Sequence, residues 1–136
     1  MSSPEASRLK RNIRVVVAIA MIAIGVLHFA NPDPFVKIVP AYLPSPRGLV
    51  LLSGFFEVAG GVGLLIERTR RLAAWGLVAL YVSVFPANLY QAMNHIAFDP
   101  SHPIPPVVLW LRLPLQIPLI ALAAWFAADD SRRRAS

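Results

Sequence analysis

The stretch VVLWLRLPLQIPLIALAAWFAA, residues 107–128, is apolar along its length except for Arg112 and Gln116. Its 22 residues, at about 1.5 Å of helical rise each, are enough to cross a hydrocarbon core about 30 Å thick. A charge at that depth costs roughly 3 kcal/mol on insertion scales, so Arg112 predicts a polar partner inside the molecule. Three further stretches of the same kind precede it, at 13–30, 48–66 and 72–93, and the second of them carries Glu57. The reading is an all-α membrane protein, a four-transmembrane-helix bundle in which Glu57 and Arg112 face each other.

The composition agrees. Hydrophobic residues make up 57% of the 136, mean hydropathy is +0.60, and 15% of residues are charged, against roughly 25% in a soluble domain. Four spans leave no room for a second domain: the expected layout is a basic tail at 1–12, a membrane domain at 13–128 and an Arg-rich tail at 129–136. Ten of the 13 Lys and Arg lie at one end of the bundle: Arg8, Lys10, Arg11 and Arg14, then Arg68, Arg70 and Arg71, then Arg132, Arg133 and Arg134. Only Lys37 and Arg47 lie at the other end. The positive-inside rule therefore places both termini in the cytoplasm.

Trp75 and Trp125 fall near the inner interface, and Trp110 and Tyr90 near the outer, as an aromatic belt requires. The net charge of +6 reads as topology and attraction to the lipid bilayer rather than nucleic-acid binding, because the cations sit in short clusters at membrane edges. The first span is long for a signal-peptide core, and Phe29-Ala30-Asn31-Pro32 is not a small-x-small cleavage site. The absence of cysteine excludes disulfides and thiol relays within the chain.

Polar residues inside the spans converge on the outer half. His28 ends the first span, Glu57 lies about 14 Å below Gly48, Asn88 and Gln91 end the third, and Arg112 lies about 8 Å below Val107. Ser53 and Glu57, Asn88 and Gln91, and Arg112 and Gln116 are spaced to share helix faces, which turned inward form a polar pocket open to the extracytoplasmic side. His28, Glu57, Asn88, Gln91, Arg112 and Gln116 are the candidate ligand-binding residues. Against this stands a structural reading, in which Glu57 and Arg112 fix helix register and the amides bridge helices. His95, Asp99 and His102 match no firm metal-ligand motif.

Gly54 and Gly61 fall on the Glu57 side of the second span, where small residues admit another backbone, and Gly60 and Gly63 extend that surface. Pro86, Pro114 and Pro118 are expected to bend their helices beside the polar residues. The outer connection 31–47 is too proline-rich for one long helix and too apolar for a free loop. It is expected to cover the pocket mouth, with one helical turn between Pro34 and Pro40. The short turn 67–71 forces the second and third spans to be antiparallel neighbours.

Gly25-Val-Leu-His28-Phe29, the Pro-rich segment from Phe35 to Pro44, Ser53-Gly54 with Glu57, Phe85-Pro86-Ala87-Asn88, and Arg112-Leu-Pro114-Leu-Gln116 together resemble the DoxX family of small four-helix bacterial membrane proteins. The resemblance covers residues 13–128 and implies a multi-pass protein of the bacterial cytoplasmic membrane. Members are associated with a quinol-linked oxidase, a thiosulfate to quinone oxidoreductase and assemblies that handle oxidative stress. Two functions follow as expectations. One is a subunit of a quinone-linked or oxidative-stress redox complex, with a non-covalently bound quinone and other redox subunits as partners. The other is a non-catalytic assembly or scaffold subunit. A small-solute transporter is the weaker third, since four helices require a homo-oligomer for alternating access. No nucleophile, base and orienting group stand in recognisable spacing, so intrinsic enzymatic activity is undecided.

Overall fold

The computed structural model describes residues 3–135, with the side chains of 129–134, and so those of Arg132, Arg133 and Arg134, outside the described set. The chain is all-helical, with no strand among the described residues. Its elements are α1 (Pro4–Ala30), α2 (Asp33–Val36), α3 (Pro46–Leu65), α4 (Arg70–Asn94) and α5 (Pro106–Ala135). Four of the five, all but α2, are long and apolar enough to cross a membrane.

The helices outrun the apolar spans. The first begins at Pro4, not residue 13: Ser3 Oγ accepts from the Ala6 N–H at 3.2 Å, Pro4 occupies the first turn, and Glu5 complements the dipole there. The segment expected as a separate basic tail is thus two further turns of α1. The expected turn between Pro34 and Pro40 is α2 and its trailing turns, and Arg47 Nη1 reaches Asp33 Oδ1 at 3.2 Å to tie it to the start of α3. At the other end the Thr69 hydroxyl donates to the Gly63 carbonyl at 3.0 Å and Arg70 Nε to the Leu64 carbonyl at 3.3 Å. These bonds close the turn that makes α3 and α4 antiparallel neighbours. Pro86, Pro114 and Pro118 lie inside continuous helices.

Packing runs in sequence order: α1 against α3, α3 against α4, α4 against α5. Glycine decides the first two contacts. A Cβ on Gly54 would stand 2.6 Å from His28 Cβ and 3.0 Å from the Gly25 carbonyl, and one on Gly61 would stand 2.7 Å from the Ala18 carbonyl. Ala18 and Gly25 on α1 therefore meet Gly61 and Gly54 on α3, seven residues apart on each helix, backbone against backbone. Gly60 and Gly63 look the other way, where a Cβ would meet Leu77 Cδ2 at 2.7 Å and Ala73 Cβ at 2.6 Å of α4. The small surface of α3 thus serves two partners.

The hydrophobic core gathers at the end that carries the termini: Ala18 and Met21, Leu64, Ala74, Leu77 and Tyr81, Ala123, Phe126 and Ala127. Lys10 joins α1 to α5 there. It is buried, its Nζ donates to the Trp125 carbonyl at 3.3 Å, and it stands 4.1 Å from the centre of the Trp125 ring. A residue read as a topology charge is also a clamp. The exterior is apolar: Ile117 is 70% exposed, Val16 66% and Leu115 61%.

Replacing Gly54 with valine is expected to lower stability by about 1–3 kcal/mol, because a side chain there must push α1 off α3. Gly76, whose Cβ would meet nothing within 4 Å, is the control. Gly76→Ala is expected to be neutral or to stabilise by about 0.5–1 kcal/mol through helix propensity. Thermal unfolding in detergent measures both.

Candidate functional site

His28, in the last turn of α1, stands with its Cβ against Gly54. Its Nδ1 is 2.8 Å from the Ile24 carbonyl, which can only accept, so Nδ1 carries the proton and donates to it. Glu57 Oε2 on α3 stands 3.1 Å from the same nitrogen, within ion-pair range. With that N–H aimed at Ile24, Glu57 Oε2 is left buried and without a hydrogen bond. Placement one turn below Gly54 brings the carboxylate here: the helix contact that admits His28 Cβ also brings Glu57 to it.

Arg112 is elsewhere. Its Nη1 donates to Gln91 Oε1 of α4 at 2.9 Å, and Gln91, 1% exposed, donates its Nε2 to the Ile96 carbonyl at 3.0 Å. That amide ties the end of α4 to the loop, while the backbone N–H groups of His95, which has a left-handed φ of 51°, and of Ile96 cap the helix by donating to the Gln91 carbonyl. The expected ion pair between Glu57 and Arg112 is not formed. The reason is helix adjacency, because α3 packs on α1 and α4, and α5 packs on α4. Nor do Arg112 and Gln116 share a buried face: Gln116 is 6% exposed, whereas Arg112 is exposed at the rim and reaches back to Gln91. Gln116 Oε1 is buried without a hydrogen bond, and Asn88, also buried, makes no side-chain hydrogen bond among the described residues.

Two aromatic residues missing from the candidate set join the halves. Phe35 of α2 stacks on the His28 ring at 3.8 Å, Phe98 of the loop after α4 lies 5.6 Å from Phe35, and the Arg112 guanidinium lies 5.8 Å from the centre of Phe98. Their signal in the sequence is two phenylalanines in the two connections at one end of the bundle. Rather than a polar pocket, the opening is an apolar-walled cleft of about 200 Å³ between Leu27, Asn31, Pro34, Phe35 and Phe98. None of the six candidate residues lines it.

The loop acids are self-contained. Asp99 accepts from the Ser101 hydroxyl at 2.6 Å and lies 2.9 Å from His102 Nδ1. The Ser101 hydroxyl first, then His102 and the Ser101 backbone N–H, hold its carboxyl below the usual range. No group of three or more metal-ligating side chains occurs among the described residues.

The sequence of residues 17–127 matches the family described as a domain of unknown function (DUF8561). The chain belongs to that family. The matched segment includes all six candidate residues and both phenylalanines, and leaves the basic ends outside. No curated protein and no solved structure matches the chain.

Pairing of Arg112 with Gln91, and not with Glu57, has a thermodynamic signature. Gln91→Leu and Arg112→Leu are expected to be non-additive by about 0.5–1.5 kcal/mol, and Glu57→Gln with Arg112→Leu additive within about 0.5 kcal/mol. Double-mutant cycles in detergent or bicelles measure both.

Proposed function

We propose that this is a four-span protein of the bacterial cytoplasmic membrane with both termini cytoplasmic, a DoxX-like subunit of a quinone-linked or oxidative-stress redox complex. In the most apolar part of the four long helices only 17–39% of residues are buried within the molecule. Side chains such as Ile117, Val16 and Leu115 would expose a continuous apolar belt to water, which a bilayer removes. Lys and Arg clustering at the end that carries the termini supports the orientation.

The redox reading rests on one observation: Phe35, which walls the cleft with Phe98, stacks on the His28 ring, and His28 Nδ1 lies 3.1 Å from Glu57 Oε2. A planar quinone ring fits aromatic walls, and a histidine beside a buried carboxylate can take up or release the proton that accompanies quinone reduction. The chain's part is to bind the ring and handle protons, with electrons supplied by a partner subunit. An assembly role is the second reading, favoured by the closed Arg112–Gln91–Ile96 chain, in which the amide is fully engaged in holding α5, α4 and the loop together.

Quinone titration of the protein in nanodiscs, followed by tryptophan fluorescence, separates the two. Saturable quenching is expected, with Phe98→Ala weakening it roughly tenfold and Glu57→Gln shifting its pH dependence. Binding unchanged in both folded variants would favour the assembly role. Orientation is checked in the cysteine-free background. Ser101→Cys is expected to react with a membrane-impermeant maleimide from outside intact cells, and Ser3→Cys only after permeabilisation.

A further inference from the structure

Three carboxylates lie on the side of the bundle away from the termini, each within ion-pair distance of a basic side chain. Asp33 Oδ1 is 3.2 Å from Arg47 Nη1, Glu57 Oε2 is 3.1 Å from His28 Nδ1, and Asp99 Oδ2 is 2.9 Å from His102 Nδ1. Arg112 has no carboxylate within ion-pair range among the described residues; its contacts are the neutral Gln91 amide and the Phe98 ring. A guanidinium has five N–H donors, and one is engaged. The remaining four belong to a group that is held in place, since Gln91 is itself locked to the Ile96 carbonyl. This is a preorganised cationic fork with no carboxylate of the described residues on it.

Its position narrows the anion. The bond to Gln91 sets the guanidinium level with the last turn of α4, three residues before that helix ends at Asn94, while Phe98 covers one side. Arg112 thus stands at the rim, at the depth where long cations reach toward headgroups. On its own helix, three and seven residues further on, Leu115 and Leu119 share its face and are 61% and 42% exposed. That face runs from the charge toward the middle of the bundle. A cation with an exposed apolar stripe below it matches an amphiphile with an anionic head and a hydrocarbon tail.

We infer that Arg112, Leu115 and Leu119 form a binding site for one anionic phospholipid of the outer leaflet, with the phosphate on the guanidinium fork and an acyl chain along the two leucines. The site rests on the membrane-spanning reading but not on quinone binding. The lipid supplies the counter-charge that Glu57 does not. A phosphate also matches the fork in geometry, accepting two N–H groups side by side.

Native mass spectrometry of the full chain in mild detergent tests the site, with dioleoyl phosphatidylglycerol, dioleoyl phosphatidylcholine and inorganic phosphate as probes. Wild type is expected to retain one phosphatidylglycerol roughly tenfold better than phosphatidylcholine, and Arg112→Leu is expected to lose that preference, while Arg112→Lys keeps part of it. Leu119→Gln touches neither Gln91 nor Phe98 and keeps the experiment decisive if Arg112→Leu does not fold. It is expected to lower phosphatidylglycerol retention at unchanged thermal stability. Equal retention by wild type and either of these two variants overturns the site, and displacement of the lipid by millimolar inorganic phosphate overturns its assignment to a lipid. Maleimide labelling at Ser101→Cys and Ser3→Cys reports separately on whether the chain spans the membrane, so the two failures are distinguishable.

Discussion

Two helix backbones touch where Gly25 and Ala18 of α1 meet Gly54 and Gly61 of α3, and the rest of the loop end depends on that contact. A Cβ at Gly54, 2.6 Å from His28 Cβ, has no space, so the approach exists only because no side chain stands between the helices. Close van der Waals packing of small residues holds the two helices together there. The same contact fixes two side chains. It holds the His28 ring over α3, and it brings Glu57, three residues past Gly54, to 3.1 Å from Nδ1.

Once Glu57 is held by α1, the polar residues divide between two helix pairs. His28 and Glu57 belong to α1 and α3, and Gln91 and Arg112 to α4 and α5. Phe35 and Phe98, one from each connection, span the division and wall the cleft above it. Buried amides and charges are costly unless paired, and here each pair is made between neighbouring helices rather than across the bundle. The arrangement leaves an acid with a histidine on one side and a cation without an acid on the other.

The four spans, the turn in the first outer connection and the tight turn between α3 and α4 were legible in the sequence, because each depends on local composition: apolar length, proline spacing, loop length. The inward faces were legible where the residue lies mid-stripe, as with Glu57, Asn88, Gln91 and Gln116. Arg112 escaped because a long side chain at the edge of a stripe can reach across to a neighbouring helix from the rim. Its partner escaped because periodicity gives the face of a helix but not which helix it faces. Polar residues also hid the first two turns of α1: Glu5, Ser7 and Arg8 carry no apolar signal, yet Ser3 and Pro4 start a helix there. Lys10 looked like one basic residue among several, and only the position of Trp125 across the bundle makes it a buried contact.

Solid-state NMR on protein reconstituted in bilayers, with the Glu57 carboxyl labelled with carbon-13 and the His28 and Arg112 side chains with nitrogen-15, measures directly which base the buried acid sits against. Dipolar dephasing of the Glu57 carbon at contact distance from the His28 ring, with none from the Arg112 guanidinium, is the expected result. Dephasing from Arg112 would place α5 against α3, restore the cross-bundle ion pair and contradict both the glycine-set packing and the pairing of Arg112 with Gln91.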